Sequence, residues 1–262
     1  MSSLFEELTL NLSVPGFLPF YPLAVIAGLL VAYLLGAIPV ALIVSRAVAG
    51  IDIREHGSGN TGFTNALRVL GVGPGIVVLV FDILKGALGG LTMVGLLLIS
   101  RDLIVGQWLA SQAQTLSDPA AQEATLGFLS ANLTGPLHDL PCAIALLASV
   151  LGHMFSPFMG FKGGKGIATG LGGLLVLMPV VALLALAVFM VFAFSVRIVS
   201  VGSLAAAFSL PFITWWMYPD SPTYIIFCSL TTLVLIFAHR QNIKRLIAGT
   251  EPRFSMKRGK ES

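Results

Sequence analysis

The chain has 262 residues, 56% of them hydrophobic and 10% charged, with a mean hydropathy of +0.93. That balance excludes an ordinary soluble domain and places the chain in a lipid bilayer. The formal charge is only +3, so the placement of Lys and Arg along the chain is more informative than their sum.

The first 16 residues carry Glu6 and Glu7 but no Lys or Arg. They lack the basic start of a cleaved signal peptide, and the first span is expected to stay in the mature protein. Apolar runs of the roughly 20 residues needed to cross a hydrocarbon core of about 30 Å occur near 20–48, 75–99, 138–157, 199–217 and 222–239. The run 166–195 is long for one crossing and short for two, and it has Pro179 near its middle. Charge decides between the two counts. Two crossings put Arg46, Arg54, Arg68, Lys162, Lys165, Arg197 and the tail residues Arg240, Lys244, Arg245, Arg253, Lys257, Arg258 and Lys260 on one side, which is all of the 15 Lys and Arg except Lys85 and Arg101. A single crossing moves Arg197 and the tail opposite the 46–68 loop, which the positive-inside tendency rejects. The predicted fold is an all-α integral membrane protein with seven transmembrane helices, N-terminus outside and C-terminus cytoplasmic. Residues 1–262 form one polytopic domain.

The outer loop, 101–139, holds Arg101 against Asp102, Asp118, Glu123 and Asp139. Ser117-Asp118-Pro119 is suited to start a short helix there, and Trp108 to rest at the interface. Cys142 and Cys228 lie in apolar segments without metal or redox spacing and are expected to be packing residues. No internal repeat or matched pair of broken helices stands out, which argues against a transporter for an organic anion, the main alternative.

Three stretches on the basic side crowd glycine and polar residues where short turns would suffice. The first runs from Gly57 to Arg68 and reads GSGNTGFTNALR. Gly59 and Gly62 let backbone amides approach an anion; Ser58, Asn60, Thr64 and Asn65 add side-chain donors, and Arg68 offers a planar fork that matches phosphate. A helix beginning near Asn60 or Thr61 adds its positive end. The second, Gly152 to Gly170, contains His153 and the run Lys162-Gly163-Gly164-Lys165-Gly166. The nucleotide pattern GxxxxGK[ST] fails, because Met159 stands at its first position and Gly166 at its last, yet a lysine among glycines suits a phosphate held as a point charge. His153 is a candidate base, with a hydrogen-bonded structural histidine as the equal alternative. The third follows the last span with His239, Asn242, Lys244, Arg245 and Glu251. Its basic residues suit anionic lipid, but the polar set exceeds what anchoring needs. Ser200 and Ser203 lie near the same boundary, where bonds to helix carbonyls compete with a substrate role. Asp82 and Lys85, three residues apart, can meet on one helix face.

Together the stretches SGNTGFTNALR, GHMFSPFMGFKGGKGIAT and NIKRLIAGTE resemble the acyl-phosphate-dependent glycerol-3-phosphate acyltransferase family of bacterial membranes. The resemblance covers nearly the whole chain in order. Phe63 stands where the family usually has alanine, and the outer loop is longer. The resemblance implies a seven-span enzyme of the bacterial cytoplasmic (inner) membrane. It would take glycerol 3-phosphate and acyl phosphate as substrates, make lysophosphatidic acid, have membrane lipids around it, and face its active site to the cytoplasm. It implies no cofactor, no metal and no nucleic acid, and a soluble enzyme that produces acyl phosphate as a partner. Carried onto this chain, Ser58, Asn60, Arg68, Lys165, His153 and His239 become the catalytic candidates. Gly59, Gly62, Thr64, Asn65, Lys162, Gly163, Gly164, Ser200, Ser203 and Asn242 become substrate-binding candidates, with Arg68 and Lys165 holding the phosphate and Glu251 tying down the tail. The HxxxxD signature of other glycerophosphate acyltransferases is absent, since the fifth residue after His153 is Phe158, and there is no GxSxG nucleophile turn.

Overall fold

The computed structural model describes residues 17–112 and 136–253. The signal-peptide reading of residues 1–16, the Ser117-Asp118-Pro119 helix start, the Trp108 side chain and the basic residues Lys257, Arg258 and Lys260 lie outside the described residues.

The described chain is helical throughout: α1 (Phe17–Ala37), α2 (Val40–Ala49), α3 (Phe63–Leu70), α4 (Val72–Gln112), α5 (Pro136–Met154), α6 (Ile167–Leu177), α7 (Pro179–Val196), α8 (Val199–Met217), α9 (Pro222–Ala238) and α10 (Arg240–Ile247), with single 3-10 turns at Ile53–Glu55 and Pro157–Met159. Among the described residues, five stretches are long and apolar enough to cross a membrane: Phe20–Ala49, Val72–Ile104, Asp139–Met159, Pro179–Val196 and Val199–Met217. The pair α9 and α10, bent by 59°, makes a sixth if taken together.

The ambiguous run 166–195 divides where its proline predicts. Pro179 has no N–H to continue a helix but suits a first turn, so α6 stops at Leu177 and α7 starts afresh after Met178. At 11 residues α6 is about 16 Å long, half of a bilayer core. The run 20–48, which reads as one uniform span, is interrupted by the same chemistry: Ile38 and Pro39 separate α1 from α2.

Lipid solvates the outside, so large apolar side chains such as Leu23, Val191, Phe208 and Trp216 point outward, and small residues mediate the helix crossings. α1 packs on α4 and α5, α4 on α6, and α7 on α8. Cys142 is buried beside Met93 and Leu97, and Cys228 beside Leu146 and Leu174, both as free thiols. The crossing of α4 and α6 is the tightest of those near the basic loops. A Cβ on Gly86 would meet the Thr169 carbonyl, and one on Gly172 would meet the Ile83 carbonyl, so backbone lies directly on backbone. Gly172→Ala therefore overpacks this crossing, at a cost of about 1–3 kcal/mol. The expected outcome is a melting temperature in detergent roughly 5 °C below that of the parent protein, read by thermal unfolding.

Candidate active site

The first loop is built around two side chains. Asp52 accepts hydrogen bonds from the Arg54 backbone N–H (3.0 Å) and from its guanidinium Nε and Nη2 (2.9 and 2.6 Å), while Arg46 lies 3.6 Å away. Side-chain and backbone hydrogen bonds from Arg54 hold the Asp52 carboxyl far below the usual range. Asn65, buried on α3, fixes the far end of the loop. Its Oδ1 accepts from the Ser58 N–H at 2.8 Å, and its Nδ2 donates to the Ile53 and His56 carbonyls at 3.3 and 3.0 Å. Both amide hydrogens are thereby used, so Asn65 is a loop staple and not the substrate donor expected from sequence.

The staple leaves Ser58 exposed, with Gly59, Asn60 and Thr64 half-exposed around the start of α3. Gly62 caps that helix in extended conformation without a side-chain cap bond, so its first amides have no partner within the helix and can face an anion. Phe63 occupies the first helical position with its ring half-buried, so the helix starts two to three residues later than the expected Asn60 or Thr61. Arg68, in the last turn of α3, is exposed.

Lys165 and the third stretch meet directly. The Lys165 ammonium donates to Asn242 Oδ1 at 2.5 Å, and Asn242 Nδ2 donates to Glu251 Oε1 at 2.6 Å. The same carboxylate accepts from Ser200 Oγ at 2.7 Å and from Arg245 Nε at 2.6 Å. Three segments distant in sequence, the Lys165 loop, the start of α8 and α10 with its tail, are thus joined through Asn242 and Glu251. Burial pushes Glu251 up, but hydrogen bonds from Asn242, Ser200 and Arg245 outweigh it and keep the carboxyl below its ordinary value. Burial pushes Lys165 down to about 8; Glu251 counters this, while Arg245 and Arg68 add to it. The first stretch therefore brings its arginine into the field of Lys165, and the cluster has an excess of positive charge.

His239, at the break between α9 and α10, is 2% exposed, and its Nδ1 lies 2.8 Å from the Leu235 carbonyl. A carbonyl only accepts, so Nδ1 carries the proton and Nε2 keeps a lone pair. Lys165 is near enough to act on it electrostatically.

Several sequence candidates fall elsewhere. His153 is 5% exposed, with Nδ1 3.2 Å from Thr169 Oγ1 and 3.6 Å from Asp82 Oδ1. It is enclosed by α4, α6 and the Gly163–Gly164 backbone, and so is not an accessible base. Ser203 Oγ donates to the Val199 carbonyl at 3.1 Å within α8. Ser200 is committed to Glu251, so its role is support. Lys162 is exposed, without an ion pair among the described residues, while Gly163 and Gly164 form the approach to Lys165. Arg245 is the residue sequence reasoning passed over; its position six before Glu251, on a turn that brings the two together, was the available signal. No group of three or more His, Cys, Asp or Glu able to hold a metal occurs among the described residues.

The pattern of the family described as glycerol-3-phosphate acyltransferase matches residues 26–249, the region that contains this cluster almost entirely. The chain belongs to that family. It is 40% identical over 238 residues to the glycerol-3-phosphate acyltransferase of Thermosynechococcus vestitus, covering 90% of this chain and 99% of that one. It is 36% identical over 261 residues to that of Chlorobaculum tepidum, with 90% and 99% coverage. Among solved structures it is similar to PlsY (YgiH), an integral membrane glycerol 3-phosphate acyltransferase. The glycerol 3-phosphate form aligns with a TM-score of 0.66 and 30% identity over 88% of this chain and 96% of that one. The lysophosphatidic acid form aligns with a TM-score of 0.64 and 30% identity over 88% and 95%. The family resemblance carried by the three motifs is thus borne out, and the chain is an acyltransferase embedded in a membrane.

Within this family fold the Glu251 carboxylate is the joint between α8 and α10. Glu251→Ala removes the acceptor for three donors, each such bond to a charged group being worth about 1.5–3 kcal/mol. Acyltransferase turnover is expected to drop at least tenfold together with melting temperature, whereas Glu251→Gln, which keeps one acceptor oxygen, should lose less of both. Turnover and thermal unfolding measured on the same preparations check this.

Proposed function

We propose that the chain transfers an acyl group from acyl phosphate to the 1-hydroxyl of glycerol 3-phosphate, giving lysophosphatidic acid and inorganic phosphate at the cytoplasmic face of a bacterial inner membrane. The carrying observation is the meeting of Lys165, Asn242, Arg245 and Glu251, with Arg68 in reach of their field, at one end of a bundle of apolar helices. The seven-span, C-terminus-inside arrangement accompanies this reading, with α6 as a short crossing shielded by α4, α5 and α7.

Two anionic reactants must be brought together, and a cluster with surplus cations offsets their repulsion. Arg68 and Lys165 hold the glycerol phosphate, while the free amides at the start of α3, with Ser58 and Asn60, face the developing oxyanion of the acyl carbon. The acyl chain lies among the apolar helices. An acyl phosphate is a mixed anhydride with a good leaving group, so no covalent enzyme intermediate is needed and catalysis reduces to positioning and charge stabilisation. The glycerol oxygen bonds to the acyl carbon, the carbon–oxygen bond to phosphate breaks, and the phosphate leaves with the bonding pair. His153 is enclosed and His239 is almost fully buried, so the hydroxyl proton goes to the departing phosphate, with His239 beside Lys165 as part of the acyl-phosphate wall.

The donor is tested with purified protein, glycerol 3-phosphate and, separately, acyl phosphate, acyl-CoA or acyl carrier protein thioester. Product from acyl phosphate alone is expected; product only from a thioester refutes the donor assignment. The second test is pH. Lys165 grips phosphate as a cation, and that form is lost as pH rises through about 8. Since kcat/KM reports the free enzyme, kcat/KM for glycerol 3-phosphate should fall above that pH. Lys165→Arg, which stays charged, should abolish the descending limb, and a limb that survives the substitution refutes the role of Lys165.

A further inference from the structure

Beneath the Lys165 loop lies a set of buried polar side chains for which the acyl transfer as written has no use. Asp82 and Lys85 are one turn apart on α4, with the ammonium 2.8 Å from the carboxylate. The same ammonium donates at 3.0 Å to the Ile38 carbonyl, at the break between α1 and α2. From α5, His153 brings Nδ1 to 3.6 Å from Asp82 Oδ1 and 3.2 Å from Thr169 Oγ1 on α6. All four side chains are more than nine-tenths buried. Apolar residues of the same volume would join three helices without removing two charges from water, so adhesion alone is a poor reason for this arrangement.

The opposite edge of the His153 ring faces the loop. A Cβ on Gly164 would collide with His153 Nε2, and one on Gly163 with the His153 carbonyl. That carbonyl accepts from the Gly164 N–H at 3.1 Å, and the Met154 carbonyl accepts from the Gly163 N–H at 2.9 Å. Gly164 therefore lies against the Nε2 edge of the imidazole and Gly163 against the His153 backbone, immediately before Lys165.

We propose that His153, paired with Thr169 and lying beside Asp82, is a positioning residue: its ring is the floor that sets where Lys165 emerges toward the substrate phosphate. Through Lys85 and Ile38 the same network reaches the start of α2, which leads into the first loop, so the Arg68 and Lys165 arms of the site share one foundation. The inference rests on the reading of Lys165 as a phosphate-holding group.

The collision supplies the test. His153→Ala removes the floor and Gly164→Ala pushes a methyl into it, whereas in the double variant that methyl enters the space the ring has vacated. Steady-state kinetics with acyl phosphate and glycerol 3-phosphate, and melting in detergent, are measured for both single variants, the double variant and Lys165→Ala. Each single variant is expected to raise KM for glycerol 3-phosphate about tenfold with kcat within about threefold, the signature of lost uniform binding. The double variant should return to within about threefold of the parent KM, a coupling seen only between groups in contact. A purely structural histidine changes melting temperature and leaves KM alone, and that outcome overturns the proposal, as does a double variant with additive losses. An unchanged KM in Lys165→Ala removes the reading of Lys165 itself and leaves His153 nothing to position, a failure distinct from the other two.

Discussion

The carboxylate of Glu251 is the constraint on which the rest of the site depends. It lies near the end of the described chain, yet it accepts from Ser200 at the start of α8, from Asn242 and Arg245 on α10, and through Asn242 it stations the Lys165 ammonium. Without a negative partner, Lys165, Arg245 and Arg68 would repel one another in a partly desolvated corner, where charges interact more strongly than in water. With that partner, the cluster keeps a surplus of positive charge without flying apart. For the proposed reaction, such a surplus is what a site for two anions needs: enough attraction to draw them together and enough anchoring to keep the cations in place before they arrive.

Two charge networks at different depths divide this labour. The Glu251 network lies at the ends of helices and holds the groups to which the proposed reaction assigns the substrate contacts. The Asp82–Lys85–His153 network lies within the bundle, where ions are costly and must be mutually satisfied. They meet at the glycine run before Lys165, which is bounded beneath by His153 and at its tip by Asn242. Glycine there serves close approach: a side chain at Gly164 would collide with the ring and one at Gly163 with the His153 carbonyl, and either would lift the loop off α5. The loop gains its definition from hydrogen bonds to the His153 and Met154 carbonyls, the last two residues of α5, so a chain rich in glycine is nonetheless fixed in place.

Most of the architecture was legible because lipid makes a simple demand. A crossing segment must satisfy its own backbone, so length and polarity suffice to locate helices, and Pro179 marked the division of the long run 166–195 because its ring cannot continue a helix. The break at Ile38–Pro39 had the same signal in its proline. It was hidden because the surrounding residues are uniformly apolar and because the partner of the freed carbonyl, Lys85, is 47 residues away. Residue types that suit phosphate identified the three stretches, of which the second and third meet through Lys165 and Asn242. They did not separate substrate contacts from supports, because Asn65 and Ser203 have the same donors whether those donors face a ligand or the protein's own carbonyls. Only the fold decides, by turning Asn65 toward Ile53 and His56 and Ser203 toward Val199.

His153 shows the same limit in its sharpest form. A histidine at a membrane boundary beside a GGKG run has the chemistry of a base, and nothing local contradicts it. Its exclusion comes from α4 and α6, whose glycine-mediated crossing brings Asp82 and Thr169 close enough to enclose the ring. The helix crossing and the lysine loop are therefore not independent features. The small residues that let α4 and α6 touch backbone to backbone also seat His153, and the seated ring gives the loop its shape. A sequence under this double demand must keep glycines in α4, in α6 and in the loop together, because a larger side chain at any one of them displaces the others. The glycine richness of the chain is here not a source of flexibility but the means by which three segments are packed closely enough to hold one lysine still.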